Sequence, residues 1–288
     1  MVGSIGWIAA AFLRVGLISV AGLDPSGKTG AISELVLAGI LGLCMAVFVL
    51  FLPPTPASSV AEASRATDGP ADPLAFRKAF GMFKTVPGFT TFVVISFIAA
   101  TEFQFFYLLS APFLQDLSIP NQFVPVVKSI SQVTEILALS VLLPLWLPKK
   151  GMKWCLLLGS LAWPLRYLIF AAQKPVWLVV LSLGLHGLGY AFVLVVQQLY
   201  VDRVAPRDIR ASAQSLLTLV TLGVGNFLGT LFCGWIQQAF TVDGKTNWPP
   251  VFLLPAVLTL LCAVAYAVTF KEPRSEPEQP ATKEAAMA

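Results

Sequence analysis

Apolar residues run through this chain in eight long stretches, at about 4–22, 31–52, 88–114, 122–147, 152–172, 175–199, 211–239 and 249–270. None alternates with the period of two that a half-buried strand requires, and each is too long for a barrel strand. Lipid offers no partners to exposed backbone groups, so segments of about 20 apolar residues are read as helices. The pattern predicts an all-α, polytopic membrane protein of eight transmembrane helices. Arg14 in the middle of the first stretch, with no basic leader before it, argues against a secretory signal. Two regions break the pattern. Residues 53–87, opening Leu52-Pro53-Pro54-Thr55-Pro56, form a long polar linker, and residues 271–288, rich in Glu, Pro and Lys, are expected to be disordered. The expected organisation is two helices (1–52), a cytoplasmic linker (53–87), a six-helix bundle (88–270) and a tail (271–288).

Composition removes the soluble alternatives. The chain is 57% hydrophobic and 12% charged, about half the charge of a soluble domain, and its mean hydropathy is +0.79. A soluble enzyme, a disordered tail and a disulfide scaffold are excluded. The net charge of +4 is small, but its placement is informative. Segments 53–87, 148–153 and 200–210 and the tail carry thirteen of the nineteen Lys and Arg; the opposite loops hold only Lys28, Lys174 and Lys245. The positive-inside bias puts the richer side, with the C-terminus, in the cytoplasm, which implies a multi-pass protein of the cytoplasmic (inner) membrane. Trp146 and Trp154 flank one cytoplasmic loop, and Trp177 and Trp248 mark external ends, as interfacial tryptophans do.

Several chemistries lack their residues. Cys44, Cys155, Cys233 and Cys262 lie in apolar runs without CxxC spacing, and there is one histidine, so no metal site and no other cofactor is expected. No phosphate-cradling loop and no catalytic triad is present, so the chain is not read as an enzyme. Nothing basic and aromatic suggests a nucleic-acid partner.

Ionisable groups at mid-membrane depth cost about 2.5–3.5 kcal/mol on insertion scales and mark candidate sites. Glu102, Glu135, Arg166 and His186 each lie within a few residues of the centres of the third to sixth stretches. Gln104 and Tyr107 are spaced i, i+3, as are Gln132 and Glu135, while His186 and Tyr190 are i, i+4, so each pair shares a helix face. Together they offer amide, carboxylate, imidazole and phenol groups, which suits a flat ligand rich in hydroxyls and ring nitrogens. Glu102 points roughly 200° from Gln104 at about 100° per residue and serves another face. The alternative roles are packing for Tyr107 and Tyr190, interhelical hydrogen bonding for Gln132, and a satisfied interior position for His186. Glu102 and Glu135 are harder to reduce to structure. Arg166 is expected to neutralise a buried carboxylate such as Glu102, and Arg14 and Lys128 to reach toward an interface. Gly225-Asn226-Phe227-Leu228-Gly229 is a GxxxG pattern, and Gly184, Gly187 and Gly189 surround His186, so both stretches permit close helix approach.

The residues carry a resemblance. Gly3-Ser4-Ile5-Gly6-Trp7-Ile8 resembles the "WGTIGW" stretch of nucleoside:proton symporters, a branch of the major facilitator superfamily. Ser129-Ile130-Ser131-Gln132-Val133-Thr134-Glu135 and Leu161-Ala162-Trp163-Pro164-Leu165-Arg166-Tyr167 are similar to that family's patterns too. The most specific match is Tyr200-Val201-Asp202-Arg203 followed by Ile209-Arg210-Ala211-Ser212-Ala213-Gln214 and the Gly-rich helix. The resemblance implies twelve helices in two six-helix bundles, with these eight as the fifth to twelfth. It implies nucleoside binding by Ser4, Trp7, Gln104, Gln132, Glu135, His186 and Tyr190, with Tyr107 where the family has an amide, and proton coupling through Glu135 and Glu102.

The arginine that precedes "WGTIGW" in the family falls where this chain begins, and four helices of the family pattern have no counterpart. The expectation is therefore a truncated chain, unlikely to transport alone, that needs the missing helices in cis or a partner in trans. The leading reading is a proton-coupled nucleoside permease working by alternating access, with nucleoside, protons and the lipid bilayer as its partners. The rivals are a major facilitator transporter of another small solute, such as a sugar or drug, and a non-transporting, partner-dependent membrane fragment.

Overall fold

In a computed structural model of the chain, residues 2–22, 28–53 and 75–271 are described. The helices follow the apolar stretches closely. The first two are α1 (Val2–Ala21) and α2 (Lys28–Val49). A short helix α3 (Ala75–Thr85) then precedes α4 (Phe89–Asp116). From Val124 the chain runs as a helix to Leu137, widens by one π-type turn at Ala138–Leu142, and continues in Leu143–Ala172. That last segment leaves helical geometry at Gly151 (φ 78°, ψ 175°), in the basic Lys149-Lys150-Gly151 turn. Only glycine adopts this conformation without steric cost. Gly151 therefore separates α5 (124–150) from α6 (152–172). α7 (Val176–Val204) and α8 (Arg210–Ala239) follow, then a two-residue hairpin, β1 (Thr241–Val242) and β2 (Lys245–Thr246), and α9 (Trp248–Thr269).

Among the described residues the elements are all helical apart from that hairpin, whose Asp243-Gly244 turn has φ of 49° and 74°. Six described segments are long and apolar enough to cross a membrane, one of them being Asn121–Ala172, while the apolar part of α2, Leu35–Val49, is shorter. At 1.5 Å per residue, 52 residues reach about 78 Å, more than twice a hydrocarbon core of about 30 Å.

Packing is carried by aromatic layers at either end of the bundle and by small residues between. Phe113, Phe170, Trp248 and Phe252 cluster at one end, where Trp248 Nε1 donates to Asp116 Oδ2 at 2.8 Å. Phe92, Tyr200, Tyr266 and Phe270 close the other. Between them, Gly229 of α8 meets the backbone of Thr101, so that α8 approaches α4 closely, and Gly187 of α7 lies against the backbone of Thr134 and Glu135 in α5. Both glycine patterns thus do what their sequence suggested. α1 leans on α5 through Ser4, Ala11, Arg14 and Ile18, one buried face of an otherwise exposed helix. The large apolar side chains of α2, Leu35 and Leu43 among them, are outward-facing, as lipid contact requires.

The linker holds more structure than its composition announces. α3 buries Ala79 and Met82, packs Phe83 on Phe89 with ring centroids 5.4 Å apart, and sets Lys78 Nζ 3.3 Å from Asp208 Oδ2. An 11-residue amphipathic helix is diluted in a 35-residue reading dominated by Pro, Ser and Asp. Residues 54–74 of the expected linker and 272–288 of the expected tail lie outside the described residues.

Candidate functional site

A cavity of about 580 Å³ opens between α4, α7 and α8, within the range of about 300–1,000 Å³ typical of small-molecule sites. Phe103, Gln104 and Tyr107 enter it from α4, Tyr190, Gln197 and Gln198 from α7, and Thr221 and Asn226 from α8. Two wide π-type turns, Tyr190–Val195 and Leu219–Gly225, contribute to its wall. Such turns recur at functional sites. Gln104, Tyr107 and Tyr190 were anticipated from depth and spacing. Gln197, Gln198, Thr221 and Asn226 were not: attention to ionisable groups passed over amides and hydroxyls, although an adjacent Gln pair in an apolar span is itself a signal.

Glu135 stands beside this cavity, reached from two helices. Ser4 Oγ of α1 donates to Glu135 Oε1 at 2.9 Å, and His186 Nε2 of α7 lies 3.9 Å from Oε2, beyond hydrogen-bond distance. His186 is wholly buried, stacked against Phe106 (centroids 4.5 Å) and Phe103 (5.2 Å), with Tyr107 edge-on at 5.9 Å and Tyr190 tilted at 6.1 Å. Glycine at 187 makes this possible, because any side chain there would push α7 off the α5 backbone and His186 away from Glu135. Gln132 is half-buried one turn before Glu135, on the same face. Thus Ser4, Glu135, His186, Tyr107 and Tyr190 are brought together, with Gln104 in the adjoining cavity.

Other expected members stand apart. Trp7 is 41% exposed and lines a separate cavity of about 280 Å³ with Arg14, Leu37, Leu41 and Pro125. Glu102 is buried on the face of α4 turned from the cavity, its Oε2 without a hydrogen-bond partner, while the Tyr167 hydroxyl donates to its backbone oxygen at 2.7 Å. The Arg166–Glu102 pair does not form. No ion pair involves Arg166 among the described residues; its fully buried guanidinium instead lies over the rings of Phe106 (4.1 Å) and Tyr167 (4.9 Å). Lys128, expected at an interface, is half-buried with Nζ 5.6 Å from the centre of that same Phe106 ring. Aromatic faces take the place of the carboxylate that the sequence reading supposed. Arg14 Nη1 reaches the backbone oxygen of Gln122 at 3.4 Å. Among the described residues no three His, Cys, Asp or Glu side chains group as a metal site.

Comparison with known proteins gives the family. The family model described as "Nucleoside H+ symporter" matches residues 1–275. The chain belongs to the nucleoside H+ symporter family. It is 28% identical over 282 residues to the nucleoside permease NupG of Escherichia coli (strain K12), covering 93% of this chain and 63% of that protein. It is 30% identical over 287 residues to the putative nucleoside transporter YegT of the same strain, covering 96% and 65%. A xanthosine permease of that strain is 29% identical, with 93% and 63% covered. A crystal structure of a point mutant of the nucleoside transporter NupG superposes with a TM-score of 0.77 at 27% identity, covering 93% of this chain and 66% of that one. The chain therefore spans somewhat under two thirds of the length of these curated relatives, and it is a multi-pass membrane member of the family.

Proposed function

We propose that the protein is a nucleoside transporter of the cytoplasmic membrane that couples import to proton entry by alternating access. The observation that carries this reading is the contact of Glu135 with Ser4 beside a cavity walled by Tyr107, Tyr190 and Gln104. An ionisable carboxyl next to a site for a hydroxyl-rich, aromatic ligand is the minimum that solute and proton need to sense each other. Tyr190 and Tyr107 stack on the base, and Glu135 with Gln132 meets the ribose, His186 standing behind Glu135. Glu135 carries the coupling proton, and Glu102 is a second carboxyl available for it. The family membership and the nucleoside-named relatives support this assignment.

In this reading the membrane is crossed eight times, with the 52-residue segment crossing twice about Gly151, and the C-terminus is cytoplasmic. α1 and α2 end the first bundle of a twelve-helix transporter, and α4 to α9 form the second. Alternating access then consists of one bundle rocking against the other around the site.

The test is uptake of radiolabelled uridine, adenosine and inosine into proteoliposomes holding the protein, with and without an imposed pH gradient. Gradient-dependent accumulation that unlabelled nucleosides compete away and hexoses do not is the expected result. Competition by hexoses instead would replace the solute class.

A further inference from the structure

Helix α3 presents three different faces in a fixed order. At about 100° per residue, Ala75, Ala79, Met82 and Phe83 share one face, which is turned into the protein. Phe76 and Phe80 follow around the helix, and both are exposed, at 45% and 49%. Beyond them come Arg77 and Lys84, also exposed. Lys78 lies on the opposite flank, 3.3 Å from Asp208. The helix carries no acidic residue.

Large aromatic side chains left exposed side by side mark a contact surface, and here that surface is continuous with the membrane. Phe76, Phe80, Phe83 and Phe89 form a ladder of rings with successive centroids 5.2, 6.2 and 5.4 Å apart, ending on the first residue of the spanning helix α4. Tryptophans mark the same level. Two helices later the chain has returned to this end of the bundle, and Trp146 and Trp154 stand exposed on either side of the Gly151 turn, as at a membrane–water boundary. With Phe76 and Phe80 turned toward the acyl chains, the protein lies to one side of α3. Arg77 and Lys84 then lie to the other, at the depth of the lipid phosphates. An uncharged partner would find no use for cations there, whereas an anionic surface complements them.

We propose that α3 is an interfacial anchor, in which Phe76 and Phe80 enter the acyl boundary of the bilayer and Arg77 and Lys84 hold the phosphates of anionic phospholipids. Helices that join an apolar face to a basic one lie in the plane of the interface, and basic residues near an anionic surface strengthen the attachment. Because α3 packs on residues 207–218, where α8 begins, anchoring it also holds one end of a helix that walls the cavity. Nothing in this attachment depends on which solute the cavity takes.

The test is hydrogen exchange of segment 75–85 in the full chain, held in nanodiscs of phosphatidylcholine alone or mixed with phosphatidylglycerol. Two basic residues at an anionic surface favour contact by roughly 30-fold at low salt. Exchange should therefore be slower by at least about tenfold in the mixed lipid. Salt near 1 M, which shortens the screening length to about 3 Å, should erase the difference. Arg77→Gln combined with Lys84→Gln should erase it too, whereas Lys78→Gln, on the Asp208 flank, should keep it. Phe76→Ser combined with Phe80→Ser should speed exchange in both lipids. Equal exchange of the unsubstituted protein in the two lipids overturns the anionic contact without any variant having to fold. A difference that Lys78→Gln removes as fully as the Arg77→Gln, Lys84→Gln pair overturns the assignment of faces. Exchange that stays slow in both lipids after the Phe76 and Phe80 changes means that protein covers the rings, a second copy or another segment, and overturns the anchor.

Discussion

Ser4 and Glu135 stand 131 positions apart in sequence, yet the serine hydroxyl donates to the carboxyl across 2.9 Å and ties α1 to α5. A hydrogen bond to a charged group contributes about 1.5–3 kcal/mol. Ser4→Ala should lower thermal stability by an amount in that range, and the loss should shrink when Glu135 is already Ala, since the two residues act through one contact. Melting curves of the two single variants and the double variant check it. Strict additivity would separate the residues.

Glu135→Gln keeps the shape and the hydrogen-bonding capacity of the side chain but cannot exchange a proton. Accumulation driven by a pH gradient should be abolished, while equilibration of nucleoside down its own gradient continues. Uptake into proteoliposomes with and without the gradient separates the two. Undiminished gradient-driven accumulation by the variant would remove Glu135 from the coupling step.

Gly187→Ala is expected to be costly and Gly234→Ala neutral. A Cβ at 187 runs into the backbone of Thr134 and Glu135, which has nowhere to go, whereas one at 234 meets nothing within 4 Å. Overpacking of a tight contact costs about 1–3 kcal/mol. The melting temperature of the first variant should fall while that of the second stays put, and equal effects would deny the close crossing of α5 and α7.

Arg166 offers a test of what surrounds it. Had it neutralised a buried carboxylate, removing it would strand that charge at about 3–5 kcal/mol. With Phe106 and Tyr167 as its neighbours, Arg166→Met gives up a cation–π contact and also removes a desolvated charge. Melting should therefore shift by no more than about 4 °C, on a scale of roughly 2–4 °C per kcal/mol for a chain of this size. A fall beyond about 10 °C would point to an acidic partner.

At the junction of α3 with the bundle, burial should outweigh charge. Lys78 and Asp208 are each about half-exposed (side chains 53% and 48%), and pairs of that kind contribute roughly 0–1 kcal/mol. Met82 is fully covered, and truncating such a side chain costs about 2–5 kcal/mol. Lys78→Ala should leave protease resistance of the 75–85 segment unchanged, while Met82→Ala should expose it to cleavage.

The helices were legible because lipid imposes a crude composition on whatever crosses it; the resemblance put Ser4 and Glu135 among the residues of one site, but their direct contact came only with the structure. The neighbours of Arg166 and Lys128 were not legible. The sequence assigned Arg166 a carboxylate and sent Lys128 to an interface, and here the Phe106 ring lies beside both cations. Gln198 escaped for a geometrical reason. Counting by 3.6 from Tyr190 favours Gln197, but the wide turn at Tyr190–Val195 takes up extra residues and brings Gln198 to the cavity wall as well. The hairpin after α8 had a readable signal, Asp243-Gly244 between residues of strand type, and escaped because a loop was all that the membrane pattern required there.

The crossing of α7 over α5 has one more consequence. Where helices interdigitate, each side chain is a tooth that resists displacement along the axis. At Gly184 and Gly187 α7 has no teeth, and it rests on Thr134 and Glu135 as a smooth surface. The seam nearest the carboxyl–imidazole pair thus lacks interlocking side chains on one of its two sides. A slide of α7 along it would alter the 3.9 Å gap between Glu135 and His186, and would carry with it Tyr200, which α7 contributes to the aromatic layer at one end of the bundle.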